Sequence, residues 1–364
     1  MKPYTPAFLP INDLDWVSLI PQIGEANAAV ARYDGLLQSI VNPVVLLSPL
    51  TTQEAVLSSR IEGTQATLRE VLAYEAEPNL TESVRYADIQ EVINYRKARA
   101  FAVNEIKERP ITLNLLKRIH NILLDSVRGR YKGRGRIRTQ QNYIGAPGGI
   151  ENASYVPPEP QALQSLLDNL EQYIHSEEKD KLVQSALIHA QFELIHPFLD
   201  GNGRVGRILI PLFLYEKKLL SSPMLYISAY LEAHRQEYYT HLRNISTDGA
   251  YDAWVRFFLN AVTTQALKDA HKARAIHELY EKTKVFLTSN LRSKYNIQVL
   301  DALFVHPVFA SSRFLEHTTA SRRSAQRILQ TLQEEGIVLA IREGHGRQPT
   351  IFVFDKLLTI TEGI

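Results

Sequence analysis

Apolar residues recur at the spacing of an α-helix along most of this 364-residue chain. Residues three or four positions apart share one face of a helix, so this spacing predicts helices that pack through an apolar stripe. Between residues 51 and 74 the stripe consists of Val56, Leu57, Ile61, Leu68, Val71 and Leu72. Such patterns predict helices over residues 25–37, 51–74, 81–106, 112–124, 160–175, 181–195, 203–218 and onward to about residue 288. The chain is therefore predicted to be mainly α-helical.

Two segments interrupt the helical pattern. Residues 1–22 are rich in proline, which predicts an extended arm. Residues 128–160 are dense in glycine, proline and β-forming residues. They predict a loop that carries a short β-hairpin over residues 142–156. We therefore expect an irregular element in the middle of a helical protein.

The C-terminal part of the chain has a different pattern. Helices are predicted over residues 292–305, 310–316 and 321–335. Residues 337–341 and 351–354 then alternate like two strands around a turn-rich segment. Helices followed by a two-stranded wing are typical of a winged helix-turn-helix domain.

The last predicted helix of this domain carries Arg322, Arg323 and Arg327. Guanidinium groups there suit DNA phosphates, and they equally suit an acidic protein surface. The sequence leaves open whether this domain contacts DNA or protein, and whether the chain forms a homodimer. We expect three regions in the chain: an N-terminal helical region (1–108), a helical core (109–275) and the winged helix (285–364).

Composition limits the classes of function. Hydrophobic residues make up 45% of the chain and charged residues 22%, as in ordinary globular proteins, and the length suffices for two or three domains. The formal net charge is only +2, so any basic surface must be local. The absence of cysteine excludes disulfides and a cysteine nucleophile. No stretch has the apolar length of a transmembrane helix or a signal peptide, so we expect a cytoplasmic protein without a membrane partner.

The densest group of chemically useful residues lies at positions 196–207, His-Pro-Phe-Leu-Asp-Gly-Asn-Gly-Arg-Val-Gly-Arg. Pro197 disfavours a helical conformation at His196, so the preceding helix must end there. Gly201 and Gly203 stand at the start of the next helix, where they let the backbone approach a ligand. The free N–H groups of a helix start favour an anion. The 196–207 segment therefore predicts a phosphate site.

Charged side chains complete this predicted site. Arg204 and Arg207 are three positions apart on a helix and can both bind phosphate oxygens. Asp200 offers a hard oxygen ligand for Mg²⁺, the usual companion of polyphosphates. The ordinary pKa of histidine suits His196 to work as a general base near neutral pH. One loop thus offers an anion site, a metal ligand, two phosphate-binding cations and a base.

Other ligand-binding patterns explain the segment less well. The glycines at 201, 203 and 206 match the dinucleotide fingerprint G-x-G-x-x-G, but that fold needs a preceding strand and an acid about 20 residues later. Here a helix is predicted before the segment, and Glu216 comes too early to be that acid. The chain has no Walker A sequence and no H-E-x-x-H zinc motif. A glycine-rich turn with incidental charges does not account for so many reactive groups within one short loop.

The 196–207 segment resembles the signature of the Fic family, H-P-F-x-D/E-G-N-G-R-x-x-R, at every defined position. The resemblance implies a helical Fic core with a β-hairpin flap. It implies transfer of AMP from ATP to a Ser, Thr or Tyr hydroxyl of a target protein or of the chain itself. His196 would be the base, and Asp200 would hold Mg²⁺. The residues assigned to ATP and its phosphates are Gly201, Asn202, Gly203, Arg204, Val205, Gly206 and Arg207.

Residues 58–63 are similar to the family's inhibitory pattern, [S/T]-x-x-x-E-[G/N], with Ser58, Glu62 and Gly63 at the defined positions. In that family the glutamate pairs with the last arginine of the signature and displaces the γ-phosphate of ATP. By this resemblance Glu62 would pair with Arg207 and inhibit the enzyme.

Two more segments are similar to features of the family. The predicted hairpin resembles the flap, whose edge binds the main chain of the target protein, here through Ser154, Tyr155 and Val156. Tyr238 and Tyr239 resemble the tyrosine pair that lines the adenine pocket. Tyrosines at this spacing also suit a protein core.

Several alternatives stay open. Members of the family also remove AMP from modified proteins, which would give Glu62 the role of aligning water, and others transfer UMP, phosphocholine or phosphate. The intact signature favours AMP transfer. A winged-helix DNA-binding regulator with the core as a sensor is the alternative from another class. The six lysines and arginines within residues 128–138 are consistent with a nucleic-acid patch, but their place beside the flap favours a role near the anion site.

Overall fold

In the computed structural model, the residues described are 2–78, 85–125, 128–129, 131–145, 150–291, 293–316, 318–345 and 348–363. They are mostly helical, which confirms the predicted fold class. The helices are α1 (Trp16–Ser39), α2 (Pro43–Leu46), α3 (Ser48–Ile61), α4 (Leu68–Ala76), α5 (Tyr86–Glu105), α6 (Leu113–Leu123), α7 (Leu163–His175), α8 (Lys181–Ile195), α9 (Asn202–Glu216), α10 (Ser228–Ala233), α11 (Arg235–Asp248), α12 (Tyr251–Asn290), α13 (Asn296–Val305), α14 (Arg322–Glu334) and α15 (Asp355–Glu362). The strands are β1 (Ile144–Gly145), β2 (Ala153–Tyr155), β3 (Val308–Ala310), β4 (Leu339–Arg342) and β5 (Ile351–Val353). Within the described ranges, no helix is long and apolar enough to cross a membrane.

The chain divides into two compact units. The first unit comprises Met1–Asp34, Leu57–Gly63 and Ile93–Leu267. The second unit comprises Gly35–Val56, Thr64–Val92 and Lys268–Ile364. The three regions expected from the sequence, with boundaries at 108/109 and 275/285, stay predictions.

Helices α8 and α9 form the buried centre of the first unit. The residues of α8 from Leu182 to Phe192 and those of α9 from Asn202 to Leu214 are all buried. Burying each large aliphatic or aromatic side chain there contributes roughly 1.5–3 kcal/mol. Asp180 caps α8 by accepting hydrogen bonds of 2.9 Å from the backbone N–H groups of Leu182 and Val183. The two helices are thus fixed elements, and the turn between them carries the 196–207 segment.

The second unit contains a three-stranded antiparallel sheet with the strand order β3–β5–β4. Helix α4 packs against this sheet, and the cluster they bury consists of Leu68, Leu72, Ala76, Val308, Ala310, Ile351, Val353 and Leu358. Helix α14 begins at its cap Ser321, whose hydroxyl accepts from the N–H of Ser324, and precedes the hairpin β4–β5. The hairpin β4–β5 agrees with the two strands predicted at the C-terminal end, but a helix, a strand, a 3-10 turn and a second helix precede it where three helices were predicted. The assignment to a winged helix stays a prediction.

The structure corrects the helix predicted over residues 51–74. Helix α3 ends at Ile61, and Gly63 adopts a φ of +103°, which breaks the chain direction. A capping box at Thr67 and Glu70 then starts α4. The apolar spacing continued through the break, so periodicity alone could not locate it. The capping box formed by Thr67 and Glu70 is the sequence feature that indicates the start of a new helix.

Three further elements differ from the predictions. Helix α1 begins at Trp16 and includes Pro21, so the predicted arm ends earlier than residue 22. The helix predicted over residues 310–316 is wrong, because residues 308–310 form β3, paired with β5, and only a 3-10 turn follows at Arg313–Leu315. Sheet pairing overrides local helical preference there. Helix α15 was not predicted. The first residues of the predicted helix 81–106 lie outside the described residues.

Candidate active site

The turn between α8 and α9 begins at His196, which has left-handed backbone angles of φ 49° and ψ 59°. A left-handed conformation costs a residue with a side chain roughly 1–2 kcal/mol. Pro197 disfavours helical continuation, as predicted from the sequence. The N–H of His196 still bonds to the carbonyl of Phe192 at 3.0 Å. The helix therefore ends at the residue whose imidazole is the candidate base.

Asn202 closes the loop that follows. Its side-chain oxygen accepts from the N–H of Phe198 at 2.8 Å, and its side-chain nitrogen donates to the carbonyl of Phe198 at 2.9 Å. Gly201 occupies a left-handed position with φ 77°, which favours glycine. The Asn202 side chain thus shapes the loop, and its assignment to phosphates stays a prediction.

His120, on α6, supports the same loop and was missed from the sequence. Its Nδ1 accepts from the N–H of Gly135 at 2.9 Å, so its Nε2 carries the proton that is donated to the carbonyl of Asp200 at 2.9 Å. The ring stacks on Phe198 with centroids 3.8 Å apart. Burial lowers the pKa of His120 to about 4, so the ring stays neutral. Its sequence context, an apolar helix face, gave no sign of this contact.

The N-terminal end of α9 presents the charged groups predicted to bind phosphate. Arg204 is buried, and its Nη2 lies 3.4 Å from Oδ1 of Asp200. The carboxylate of Asp200 is 41% exposed, so it can reach a ligand. Val205 is buried and contributes only its backbone here. The described residues contain no group of three or more His, Cys, Asp or Glu side chains arranged around a metal. A single carboxylate fits Mg²⁺ that is held mainly by substrate phosphates.

Arg207 lies in the first unit together with the residues that bind it. Its Nε donates to the hydroxyl of Ser58 at 2.8 Å, and its Nη2 donates to the Ser58 carbonyl at 2.9 Å and to Oε1 of Glu62 at 2.6 Å. The arginine side chain is 1% exposed and that of Glu62 is 31% exposed. The turn at Gly63 directly follows and ends the helix that delivers both partners. The structure thus brings together the two residues of the predicted inhibitory pair.

The electrostatics of this pair favour the ionised forms. Burial opposes ionisation of Glu62, but the charge of Arg207 outweighs it and lowers the pKa of Glu62. Burial likewise opposes the charged form of Arg207. The negative charge of Glu62 outweighs this effect of burial and raises the pKa of Arg207. Gly203 leaves room for the pair, because a Cβ there would overlap Oε1 of Glu62 and come within 2.8 Å of Nη1 of Arg207.

Glu193, also missed from the sequence, lies one helical turn before His196. Burial raises its pKa to about 8, so this carboxyl group is neutral at pH 7. A Cβ at Gly206 would overlap its Oε1, which explains the glycine at that position. The signal in the sequence was a lone acid in an otherwise apolar stretch of α8.

A cavity of about 420 Å³ adjoins these groups, a size typical of small-molecule sites. Its wall includes Glu62, Glu193, His196, Gly203, Arg207, Tyr238 and Tyr239. Tyr238 is buried, with its hydroxyl 3.0 Å from Nε2 of His189, whereas Tyr239 is 39% exposed. Tyr238 therefore also serves the core, and Tyr239 is the more accessible of the two. Asp200, Asn202 and Arg204 do not belong to the described wall of this cavity.

The predicted hairpin forms one side of the cavity. Strand β1 pairs antiparallel with β2, and Ser154 and Tyr155 line the cavity beside Ile144. Val156 is buried and does not present its side chain to the cavity. Residues 146–149, at the tip of the predicted hairpin, lie outside the described residues.

Burial lowers the pKa of His196 to about 4, so its imidazole is neutral at pH 7. Its Nδ1 lies 3.2 Å from the carbonyl of Glu193, a contact that fits a protonated Nδ1. In that tautomer Nε2 keeps a free lone pair, as a general base requires.

Two family models match the chain. The model described as Fic/DOC family N-terminal matches residues 20–104, and the model described as Fic/DOC family matches residues 110–214. Together the two segments cover just over half of the 364 residues. The second match contains the whole 196–207 segment, and the first contains Ser58 and Glu62.

Curated relatives match over part of their length. A protein of Aquifex aeolicus (strain VF5) named as a probable protein adenylyltransferase is 28% identical over 191 residues, which is 52% of this chain and 56% of the relative. The protein adenylyltransferase Fic of Aedes aegypti is 30% identical over 153 residues, 40% of this chain and 27% of the relative. The chain therefore spans about half or less of the length of these relatives.

Two solved structures share the fold. A Fic family protein from Desulfovibrio desulfuricans G20 superposes with a TM-score of 0.57 at 19% identity, covering 96% of this chain and 98% of its own. A Fic domain containing signaling protein from Bacteroides thetaiotaomicron superposes with a TM-score of 0.56 at 16% identity, covering 70% of this chain and 97% of its own.

We expect His196 to titrate with a pKa of about 4 in the folded protein, because its ring is desolvated. A histidine with a depressed folded pKa contributes its full stability above about pH 6.5 and loses it as the pH falls towards 4. The ring protons can be followed by NMR, with the His196→Gln variant identifying the signal and the urea-unfolded protein as the reference. A midpoint near 6.5 in the folded protein would contradict a desolvated site.

Proposed function

Because the chain belongs to the Fic/DOC family, we propose that it transfers AMP from ATP to a hydroxyl side chain of a protein, including its own. The observation that carries this proposal is the meeting of a neutral His196, a glycine-rich helix start and Arg207 at one cavity. The names of the relatives support the same activity.

In the proposed reaction the triphosphate of ATP lies over the start of α9, where free backbone N–H groups favour anions. Arg204 binds phosphate oxygens beside it. The target hydroxyl oxygen attacks the α-phosphorus, a bond from that oxygen to phosphorus forms, and the bond to pyrophosphate breaks. His196 accepts the hydroxyl proton. Positioning and charge stabilisation supply most of the catalysis in phosphoryl-type transfers.

Mg²⁺, which we propose Asp200 holds, would offset negative charge on the departing pyrophosphate. The exposed carboxylate of Asp200 supports this role, because it stands at the helix start and remains open to solvent. Arg204 donates from Nη2 to Oδ1 of Asp200 at 3.4 Å and so helps to orient the carboxylate.

We propose that the flap presents the target. Strand β2 is one side of a two-stranded hairpin, and an extended peptide can add to a free strand edge. Ser154 is exposed beside the cavity, so a peptide at this edge lies near His196. The target would be selected by its main chain and by the side chain that enters the cavity.

We propose that Glu62 inhibits this reaction. Its carboxylate holds the guanidinium of Arg207 in the cavity, and that is the group we expect to bind the γ-phosphate of ATP. A carboxylate and a γ-phosphate cannot both occupy one face of one guanidinium. In this proposal the observed Glu62–Arg207 contact corresponds to the inhibited state, and release of Glu62 would activate transfer.

We propose DNA binding as a second, separate function of the winged helix. Residues 318–333 carry three arginines and no acid, and Arg322, Arg323 and Arg327 are all exposed. Exposed Gln326 and Gln330 share the solvent face of α14. Arginine and glutamine are the side chains that read guanine and adenine in the major groove. The basic face at the start of α14 complements duplex DNA, whereas near its end Gln330 donates to Oε1 of Glu334 at 2.8 Å.

The proposed transfer is tested by His196→Ala. Loss of the base should reduce incorporation of labelled AMP by about 10²–10⁴-fold, while the affinity for ATP changes little, because the anion site does not use the imidazole. His175→Ala, at the exposed end of α7, is the matched control and should behave like wild type. If His196→Ala incorporates AMP at the wild-type rate, His196 is not the base. If no variant incorporates AMP, including the variants that lack Glu62, the chain does not transfer AMP.

Inhibition is tested by Glu62→Gly, which removes the carboxylate from Arg207. We expect self-modification to rise at least about tenfold, equivalent to about 1.4 kcal/mol of released inhibition. Glu108→Gly, at an exposed turn of the same unit, is the control for a generally loosened chain.

A double variant, Glu62→Gly with Arg207→Ala, should lose the gain, because the relief acts through that arginine. No acceleration by Glu62→Gly on any target would contradict inhibition. Loss of an ability to strip AMP from modified protein would support the hydrolase alternative.

DNA binding is tested by fluorescence anisotropy of a random duplex at several salt concentrations. Arg323→Gln with Arg327→Gln should weaken binding. The slope of log affinity against log salt concentration should become less negative by about 2, because each lost phosphate contact reduces it by about 1. Lys97→Gln with Lys107→Gln, exposed on the first unit, removes the same charge and should leave binding unchanged. Equal effects from both pairs would exclude α14 as the DNA-binding face.

A further inference from the structure

Arg138 is the last cation of the basic run at 128–138, and it is 3% exposed. In the described part of the chain, its guanidinium donates only to backbone carbonyls. Nε donates to His196 at 2.9 Å, Nη1 to Gln140 at 3.2 Å, and Nη2 to Pro158 at 2.6 Å and Ile195 at 3.4 Å. The N–H of Arg138 also donates to the carbonyl of Pro197 at 2.9 Å.

A buried cation that is satisfied only by carbonyls is unusual, because burying an unpaired charge is costly. Burial lowers the pKa of Arg138 to about 10, which leaves the group charged at pH 7. Ile195 and His196 end α8, and the last carbonyls of a helix lack partners and carry partial negative charge. Arg138 therefore supplies hydrogen-bond donors to the unpaired carbonyls at the end of α8, and the partial negative charge of those carbonyls stabilises its guanidinium.

The same guanidinium also reaches both ends of the flap. Gln140 precedes β1 and Pro158 follows β2, so the two ends of the hairpin accept hydrogen bonds from one side chain. Gln141 strengthens this closure by donating to the carbonyl of Pro157 at 2.9 Å. The ends of the hairpin are thus tied together where the flap leaves the core.

Two contacts along the flap extend the connection to the turn between α8 and α9. Asn142 donates from Nδ2 to the carbonyl of Phe198 at 3.1 Å. Tyr155 donates from its hydroxyl to the carbonyl of Leu194 at 2.7 Å. The flap is thereby hydrogen-bonded to backbone on both sides of His196.

We propose that Arg138 is a positioning residue that holds the flap and the backbone of His196 in one fixed geometry. This inference rests on the proposed transfer, in which a hydroxyl presented by the flap must meet the imidazole. Arg138 touches neither ATP nor the hydroxyl in this scheme. It sets the distance between the residue that takes the proton and the strand that presents the target.

The charge of Arg138 has a second effect on His196. Burial is the main reason that the pKa of His196 is low, and the positive charge of Arg138 lowers it further. Removing the charge should therefore raise the pKa of His196. Replacing Arg138 with lysine keeps a charge but not the planar fork that serves four carbonyls. Comparing a lysine with an uncharged side chain at this position therefore separates the effect of the charge from the effect of the hydrogen-bond geometry.

The test compares Arg138→Lys and Arg138→Met, both built on Glu62→Gly so that transfer is measurable. We expect each to bind ATP within about twofold of the parent while kcat falls by about 10²-fold, the cost of a misplacement of about 1 Å. In Arg138→Met the acid limb of the rate–pH profile should move to higher pH, and in Arg138→Lys it should stay. Arg109→Met, at an exposed position of the same unit outside the basic run, should change neither.

Hydrogen–deuterium exchange gives a readout that does not depend on the reaction. Amides of β1, β2 and residues 194–198 should exchange faster together in both Arg138 variants, while α7 and α12 stay protected. If ATP affinity collapses along with kcat, or if the flap and residues 194–198 do not loosen together, the positioning role is wrong. If the parent transfers no AMP but the two segments loosen together, the proposed function fails and the structural coupling stands.

Discussion

At His196 the backbone turns left-handed between two buried helices, and the other groups of the site are placed relative to this turn. The conformation is unfavourable for a residue with a side chain, and it persists because the surrounding structure holds the turn. Arg138 donates to the carbonyl of His196, Asn202 bonds to the backbone of Phe198, and His120 bonds to the carbonyl of Asp200. Helix α9 then starts beside the cavity, which Gly203 lines, so the proposed base and the proposed anion site lie at the two ends of one short turn.

The inhibition that we propose depends on the electrostatics around Arg207. This buried arginine has an anionic partner in the described structure, and that partner is Glu62. Glu193 lies nearby as a neutral acid, because burial and the charge of Glu62 both raise its pKa. A second carboxylate therefore does not compete for Arg207 while Glu62 is present. In the proposed mechanism, an incoming triphosphate would meet a cation that Glu62 already occupies, and productive binding of the triphosphate would require that Glu62 leaves.

The sequence predicted those structural features that are determined by residues close together in the chain. Helix α8 was predicted with its observed bounds, because Asp180 caps it and Pro197 ends it. The pairing of Glu62 with Arg207 came from resemblance, and the structure places the two side chains in contact. The contacts of His120 and Arg138 join segments far apart in the chain, so no local pattern revealed them. The break at Gly63 was missed because periodicity does not detect the local capping box at Thr67 and Glu70, and the strand β3 was missed because sheet pairing overrides local helical preference. The roles of the site residues stay predictions.

In the proposed mechanism, inhibition and catalysis make the same demand on Gly203. A Cβ at this position would overlap Glu62 and approach Arg207, so the observed pairing of these two residues needs a glycine. The proposed reaction needs the same glycine, because phosphate oxygens must approach the backbone at the start of α9. In the proposed mechanism, the volume that the Glu62 carboxylate fills in this structure would be filled by phosphate in the active state. A substitution at Gly203 would then damage both states, whereas a substitution at Glu62 would change only which anion occupies that volume. Regulation of this kind would depend on Glu62, which directly follows the end of α3 at Ile61.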